Sequence, residues 1–325
     1  MYKIINELNV NDLELFLNKI YNSNNQYNFW IKTNKTNILK EIICNILNDE
    51  KNSYNLILYK DNNIVSFIKI SLSVWDSNHF GFNCASINHF YIDNEYICEN
   101  IDDFIKIIYK ELTNYYSKNN ISFVFANIDS LNSELNYIIQ KLNFRFILNW
   151  TDGIIASKKI ETKIYENLTI SDKIDEKDVL FFSKLASDNY FNGGRFYQDM
   201  FFNKIKVNEM YSELVKNSFR NNDILLMLKK EETPIGLFIY KKIKEYKNFD
   251  NLKVAQLRFI IIDPLQRQKG IGKFLFDSTI NYLQNKCDLI TTGLETHNYA
   301  SLNLHSKIGF KFNYNHNAYH CWIKQ

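Results

Sequence analysis

The sequence contains few of the residues that mark several familiar classes of protein. Its 325 residues include two prolines, nine glycines and five cysteines. The cysteines are Cys44, Cys84, Cys98, Cys287 and Cys321; they are widely spaced and form no Cys-x-x-Cys pair. We therefore expect neither a disulfide framework nor a zinc site. Small thiols of this kind are typical core side chains in a reducing compartment, and we predict a cytoplasmic protein.

The chain also lacks an excess of charge and a long hydrophobic run. Lysine and arginine total 39 and aspartate and glutamate 36, which gives a net charge of +3. Because no basic stripe is present, we predict no nucleic-acid partner. No stretch of about 18 apolar residues occurs, so we predict no membrane span. Charged residues interrupt the apolar pattern of the first twenty positions, so we predict no signal peptide either.

What is present is a strongly apolar chain, 46% hydrophobic, in which strands and helices alternate. Periodicity predicts helices over 101–116, 178–186 and 272–285, and strands over 121–128, 255–262 and 289–294. The order of elements occurs twice, and the apolar pattern lapses near Lys158–Glu161. We therefore predict a mixed α/β protein with two packed domains, residues 1–160 and 161–325.

The most informative segment is residues 260–272. A buried strand ends at a proline, and a polar loop with Gly270 and Gly272 leads directly into a helix. Free backbone N–H groups at a helix start, with no Cβ in the way, can hold a pyrophosphate. Arg267 and Lys269 add positive charge at the same place. Taken alone, the two glycines favour the alternative of a strand–turn–helix whose glycines only turn the chain.

Two motifs together resemble the GNAT superfamily of N-acetyltransferases. Arg267-x-x-Gly270-x-Gly272 resembles its acyl-CoA signature, and Asn298-Tyr299-Ala300 followed by His305–Phe310 resembles its second motif. The resemblance covers residues 161–325. It implies mostly antiparallel, splayed sheets flanked by helices, with strand 255–262 diverging from strand 289–294.

The resemblance implies acetyl-CoA as the co-substrate and direct transfer of the acetyl group to an amine. Pantetheine would lie between the diverging strands, and a main-chain N–H near Ile260–Ile262 would polarise the thioester carbonyl. The residues implied in cofactor binding are Ile260, Ile261, Ile262, Arg267, Gln268, Lys269, Gly270, Ile271, Gly272 and Asn298.

A narrower resemblance involves the acceptor. The segment Trp75–Gly81, then Arg195-Phe196 with Tyr211 and Asn217, and the ending Tyr319–Trp322 resemble the TDP-fucosamine acetyltransferase family. Its members acetylate the 4-amino group of a nucleotide-linked dideoxyhexose. The resemblance implies that Trp75, Phe80, Arg195 and Phe196 contact the substrate. The alternative is that these aromatics are ordinary core residues and Arg195 forms a surface ion pair.

Two residues are candidates for proton transfer. His305 stands where the superfamily often has a tyrosine that acts as general acid toward the CoA thiolate, and imidazole can do this near neutral pH. The alternative is a packing role for His305, with water or a nearby tyrosine as the acid. Glu295, at the end of strand 289–294, is a candidate base acting through a water molecule, although an exposed carboxylate is the commoner interpretation.

No other catalytic constellation is visible in the sequence. His297, His305, His316 and His320 lack metal-ligand spacing and acidic partners, so we expect no metal. No Ser-His-Asp or Cys-His arrangement is present either, so we expect no acyl-enzyme.

The first half shares the order of elements but not the glycine loop. The corresponding loop, residues 93–100, has no glycine, and Asp93, Glu95 and Glu99 would repel a pyrophosphate. We therefore predict a degenerate first copy and one active site, and a homodimer is one option. Two alternatives stay open: the same enzyme acting on another small amine (an amino acid, polyamine or antibiotic), or a CoA-binding module without catalysis.

Overall fold

The structure, a computed structural model, describes residues 2–21, 35–48, 52–97, 101–161, 166–189, 193–267 and 270–323. The chain folds into two compact units. The first unit contains residues 1–149 together with 315–325, and the second contains residues 150–314. No helix among the described residues combines the length and the apolar character needed to cross a membrane.

The elements up to residue 156 are, in chain order, β1 (Tyr2–Ile5), α1 (Val10–Ile20), α2 (Lys35–Asn48), β2 (Ser53–Lys60), β3 (Asn63–Leu72), α3 (Val74–Phe80), β4 (Asn83–Ile92), α4 (Asn94–Ile97), α5 (Ile101–Lys118), β5 (Ile121–Asp129), α6 (Ser133–Lys141) and β6 (Arg145–Ala156). In the first unit the strands follow the order β1-β2-β3-β4-β5, and the strand over residues 316–322 pairs antiparallel with β5. Phe104, Ile108 and Leu112 of α5 pack on this sheet.

The remaining elements are β7 (Leu168–Ser171), α7 (Glu176–Asn189), α8 (Arg195–Gln198), α9 (Lys204–Arg220), β8 (Ile224–Lys230), β9 (Thr233–Tyr240), β10 (Lys244–Tyr246), β11 (Leu252–Ile262), α10 (Ile271–Leu283), β12 (Leu289–Glu295), α11 (Tyr299–Ile308) and β13 (Lys311–Trp322). In the second unit the order is β6-β12-β11-β9-β8-β7, with β10 paired to β11. Helix α10 packs on one face of this sheet, and α7 and α9 pack on the other.

Each unit contains one pair of parallel strands, and that pair separates partway along its length. In the second unit, β11 pairs with β12 only at Val254–Gln256, and from Leu257 onward its ladder runs with β9 alone. In the first unit, β4 pairs with β5 only up to Ile87. One extra residue disrupts the outer ladder just beyond each separation: Arg258 in β11 and Asn88 in β4.

The structure therefore confirms the predicted fold class, two mostly antiparallel splayed sheets flanked by helices. It differs from the sequence interpretation in two places. Helix α2 was not predicted, although Ile38, Ile42 and Ile46 recur along it at helical spacing. A boundary at residue 160 assigns residues 150–156 to the first domain and residues 315–325 to the second. In the structure, residues 150–156 belong to the second unit and residues 315–325 to the first, because their strand partners are distant in sequence.

Candidate active site

The separation of β11 from β12 opens a cleft in the second unit. Strand β12 keeps an antiparallel partner along its whole length, because Leu289–Glu295 pairs with Ala156–Trp150 of β6. Strand β11 keeps β9 as its partner through Ile262. Two strands held on opposite sides in this way stay apart without a ligand between them, so the predicted divergence of 255–262 from 289–294 is built into the sheet.

Helix α10 begins nine residues after β11 ends, and its first turn lies against Ile262 at the end of that strand. Gly270 precedes the helix with φ +75°, a left-handed conformation that other residues adopt at a cost. The first N–H groups of the helix, from Ile271 onward, have no intrahelical acceptor. Gln268 and Lys269, two of the predicted pyrophosphate ligands, lie outside the described residues.

Gly272 provides a test of whether this helix start fits a pyrophosphate. A Cβ at this position would lie 3.4 Å from Leu304 Cδ2 and 3.6 Å from Ile262 Cδ1, which are ordinary contact distances. Packing within the protein therefore does not require a glycine here. An anion approaching the backbone N–H groups would require one, so the residues present fit the pyrophosphate of CoA.

The other predicted cofactor residues support the loop and the strand. Arg267 donates from Nε to the carbonyl of Ile262 at 3.1 Å and so fastens the loop to the end of β11. Ile261 is buried against α7 and α9, whereas Ile260 and Ile262 lie on the α10 face. Their backbone, on the side away from β9, is free of strand pairing within the described ladder.

Asn298 and Glu295 are linked at the end of β12. The Asn298 side chain accepts from Ser301 N–H at 3.2 Å and caps α11, and it also hydrogen-bonds the Glu295 carboxylate. Burial raises the pKa of Glu295 above its ordinary value, although these hydrogen bonds and His297 oppose the change. Glu295 is therefore a partly desolvated carboxylate in a fixed position rather than a freely exposed one.

His305 lies inside the core of the second unit. Its side chain is fully buried, with ring centroids 4.6 Å from Phe276 and 5.0 Å from Phe310. Nδ1 contacts the Ser301 carbonyl at 2.7 Å, and because a carbonyl only accepts, Nδ1 carries the proton. Nε2 is buried without a hydrogen-bond partner, and burial lowers the pKa of the ring to about 4.

This environment favours the packing alternative for His305. A general acid needs a proton on the atom that faces the leaving group. The one proton of the neutral ring is already donated to Ser301, and the doubly protonated form is scarce near neutral pH. The geometry therefore does not support the prediction that His305 is the general acid. His305 occupies the position of the superfamily's tyrosine in the motif, but its ring is buried between two phenylalanines.

Tyr211 and Arg195 lie at the Glu295 end of the cleft. The ring of Tyr211, on α9, packs 6.1 Å from Phe259 of β11, while its hydroxyl interacts electrostatically with Glu295 and Arg195. Burial raises the Tyr211 pKa well above its ordinary value, so the hydroxyl keeps its proton. His297 donates from Nε2 to the Gly193 carbonyl oxygen, 3.1 Å away, which holds the segment before Arg195 near β12.

The predicted substrate aromatics are in different environments. Phe196 is buried against Phe202, with ring centroids 4.9 Å apart, and the Arg195 guanidinium lies over its ring at 4.5 Å, so Phe196 is a core residue. Trp75 and Phe80 belong to α3 of the first unit. Trp75 is 44% exposed and stacks on His79 at 5.2 Å, so it presents a flat aromatic surface to solvent.

Asp152 is a residue that the sequence interpretation missed. It lies on β6 opposite Gly293 of β12, and a methyl group at Gly293 would come within 3.1 Å of Asp152 Oδ1 and 3.6 Å of the Trp150 ring. Burial alone raises the Asp152 pKa to about 6. The pair Asp152-Gly153 inside a predicted strand could have drawn attention to Asp152. The strand that pairs with it, β12, lies more than a hundred residues away in sequence.

The corresponding segment of the first unit is described over residues 93–97, and residues 98–100, which include Glu99, lie outside the described residues. In place of the glycine loop, Asp93 is buried and paired with Lys19, and α4 begins directly after it. Across the described parts of both units, no group of three or more His, Cys, Asp or Glu side chains is arranged to hold a metal ion.

Comparisons with known proteins agree with this geometry. Residues 194–310 match the model of the Acetyltransferase (GNAT) family, a range that holds the splayed strands, the glycine helix and the Asn298 motif. No curated protein sequence matches the chain.

Three solved structures share the fold over nearly the whole chain. A tandem GNAT protein from the clavulanic acid biosynthesis pathway aligns with TM-score 0.58 and 9% identity, covering 100% of this chain and 99% of that one. A GCN5-related N-acetyltransferase from Sphaerobacter thermophilus aligns with TM-score 0.65 and 7% identity, covering 100% and 96%. A fungal glucosamine N-acetyltransferase region of a GH3 β-N-acetylglucosaminidase aligns with TM-score 0.64 and 10% identity, covering 98% and 38%. The chain therefore has a tandem GNAT fold.

Proposed function

We propose that this chain is an acetyl-CoA-dependent N-acetyltransferase with one active site, in the second unit. The observation that carries the proposal is the combination of splayed strands β11 and β12 with a helix start whose Gly272 is not required by packing. The match of residues 194–310 to the acetyltransferase family supports it. Acetyl-CoA, when bound, supplies the activated thioester.

In this proposal the protein contributes positioning and electrostatics. The N–H groups from Ile271 onward hold the pyrophosphate, and an unpaired main-chain N–H of Ile260–Ile262 polarises the thioester carbonyl. The acceptor amine approaches along the face of β12 that carries Glu295. His305 packs the buried side of helix α11 into the core of the second unit and transfers no proton.

For the acceptor we propose the amino group of a nucleotide-linked amino-dideoxy sugar. Arg195, whose charge acts on Tyr211 beside Glu295, is a residue type that binds a diphosphate. A structural neighbour described as a glucosamine N-acetyltransferase region acts on an amino sugar by its own description. The carboxylates Asp152 and Glu295 favour a second candidate, a small cationic amine such as a polyamine or amino acid.

The test combines binding and transfer. Titration calorimetry should give one acetyl-CoA per chain, and release of CoA thiol should depend on an acceptor drawn from a panel of a TDP-4-amino sugar, glucosamine, a polyamine, an amino acid and an aminoglycoside. Two equivalent acetyl-CoA sites would contradict the single-site assignment. Tight binding without thiol release for any acceptor would favour a CoA-binding module without catalysis.

A further inference from the structure

The face of β12 on which the acceptor lies can be assigned from strand alternation. Ile290 belongs to the core beneath α10, so Thr292 and Leu294 point the same way. Gly293 and Glu295 therefore point to the opposite face, where Tyr211 of α9 interacts with Glu295. Because residues directly opposite in an antiparallel pair share a face, Asp152 and Trp150 lie on that side too.

Asp152 and Trp150 pack around Gly293 on this face, where the glycine leaves room for their side chains. A methyl group there would press on Asp152 Oδ1 at 3.1 Å, which is tighter than an ordinary contact, and would meet the Trp150 ring at 3.6 Å. The Asp152 carboxylate thus leans over the glycine. Glu295 follows two residues along β12, about 7 Å away along the strand. A primary amine placed above Gly293 would meet a carboxylate on one side and an aromatic ring on the other.

We propose that Asp152 is the catalytic base, which accepts the proton that the acceptor loses on its way to attack. This inference rests on the proposed function and adds to it a residue and a substrate property: the acceptor enters as an ammonium ion. Trp150 favours a cation through its ring face. Glu295, which accepts a hydrogen bond from the Asn298 side chain, binds the ammonium group and does not remove its proton.

Protons and electrons are conserved in this step. The ammonium gives one proton to the Asp152 carboxylate, which later releases it to solvent. The freed nitrogen lone pair forms the C–N bond to the thioester carbonyl carbon, and the C–S bond breaks with its electron pair leaving on sulfur. The second proton of the attacking amine goes to that sulfur and gives the CoA thiol.

Asp152 suits this task better than an ordinary aspartate because burial brings its pKa to about 6, closer to the working pH. The charged or titratable groups on this face that interact with Glu295 or with Tyr211 are His297, just beyond β12, and Arg195 on α8, and Tyr211 itself lies on α9. An acidic limb in the pH–rate profile could thus come from Asp152 or from Glu295, and matched variants are needed to separate them.

The experiment compares wild type with Asp152→Asn, Glu295→Gln and Gly293→Ala in full-length protein, with acetyl-CoA affinity and kcat/KM measured from pH 5 to 9. We expect Asp152→Asn to lower kcat/KM by about 10²–10³ and to abolish the acidic limb, with acetyl-CoA affinity unchanged within about twofold. Glu295→Gln should raise KM and keep the limb. Gly293→Ala, which displaces the carboxylate without removing it, should lower kcat and keep acetyl-CoA affinity.

The outcomes distinguish the base assignment from the proposed function. If wild type transfers acetyl groups but Asp152→Asn keeps its rate and its acidic limb, the inference is wrong and the proposed function stands. Loss of the limb in Glu295→Gln alone would likewise assign the base to Glu295. If wild type acetylates none of the amines in the panel, the proposed function fails and this inference fails with it.

Discussion

Asp152 and His305 are both buried in the second unit, and burial moves their pKa values in opposite directions relative to neutral pH. The Asp152 pKa rises to about 6, and the His305 pKa falls to about 4. In both cases the environment disfavours the charged form. The pH dependence of stability can therefore report on each residue without any knowledge of the acceptor.

For Asp152, stability should be lost as the pH rises. Below about pH 4 the carboxyl is protonated in both the folded and unfolded states, so burial costs nothing. Between about pH 4 and pH 6 the Asp152 carboxyl ionises in the unfolded chain but stays largely protonated in the folded protein. This difference lowers the free energy of unfolding by up to about 3 kcal/mol. Asp152→Asn should be more stable than wild type above pH 6 by about this amount, measured by urea unfolding.

The matched control is Asp250→Asn, which removes one exposed carboxylate from the same unit. It should follow the wild-type curve throughout. If Asp152→Asn also follows the wild-type curve from pH 4 to 8, Asp152 is ionised in the folded protein at no cost, and the burial assigned to its carboxylate is wrong.

For His305, stability should be lost as the pH falls. The unfolded state takes up a proton below its ordinary pKa of about 6.5, whereas the buried ring does so only near 4. His305 therefore contributes a loss of up to about 3 kcal/mol to the wild type between pH 7 and pH 4, and His305→Leu should gain stability relative to the wild type by this amount over that range. Because the ring packs rather than reacts, His305→Leu should keep turnover within about tenfold.

A different result for His305→Leu would restore the sequence interpretation. Turnover reduced by about 10²–10³ with unchanged acetyl-CoA affinity is the behaviour of a proton donor, not of a packing residue. The sequence could place His305 in the motif but could not show its surroundings. Phe276 and Phe310, which enclose the ring, come from another helix and from the strand side of α11.

At the scale of elements, asparagine and aspartate take over positions that other proteins give to glycine and serine. Nine of the ten non-glycine residues with positive φ among the described ones are Asn or Asp. Asn9, Asn132, Asn203 and Asn298 also cap helices through their side chains. Their short polar side chains tolerate both roles, which is how a chain with so few glycines forms its tight turns.

Two glycines, Gly270 and Gly272, lie at the start of α10. One substitution at each position tests whether the glycine is needed for backbone conformation or for ligand binding. Gly272→Ala adds a methyl group that the protein can accommodate, so stability should be unchanged or slightly higher, while acetyl-CoA affinity should fall at least tenfold. Gly270→Ala forces a left-handed alanine and should cost about 1 kcal/mol of stability as well. Thermal melts and calorimetry measure both effects.

An unchanged acetyl-CoA affinity for Gly272→Ala would show that no ligand approaches the backbone there. The loop and helix were predictable because the signal is local: strand end, proline, glycine, helix lie within about a dozen residues. The packing of Asp152 and Trp150 around Gly293 was not predictable, because these residues reach Gly293 only through the pairing of β6 with β12. Proline and glycine residues close in sequence predict where a helix starts, but no local pattern predicts which distant strands pair.

At the scale of the whole molecule, the two units do not correspond to two halves of the chain. A cut at residue 160 removes residues 150–156, the antiparallel partner of all seven residues of β12. We therefore expect a fragment of residues 150–314 to be soluble and to unfold cooperatively, and a fragment of residues 161–325 to aggregate through the exposed edge of β12. Gel filtration and thermal melts distinguish the two fragments.

Equal stability of the two fragments would show that residues 150–156 contribute little to the second unit. That result would also weaken the case for Asp152, which lies on the same strand. The repeated order of elements predicted two copies of one fold, and this is confirmed. Which strand completes which copy depends on pairings across the chain and is set by three-dimensional packing rather than by periodicity.

The pairing of residues 316–322 with β5 has a consequence for how the chain is made. The paired residues are roughly 190 positions apart, and Tyr319 and Cys321 belong to the core of the first unit. At a synthesis rate of about 5–20 residues per second, β5 waits about 10–40 s for its partner. Residues 150–314 are complete before that partner is synthesised. The unit that begins first along the chain is therefore the one that is completed last, and the edge of β5 lacks its partner until then.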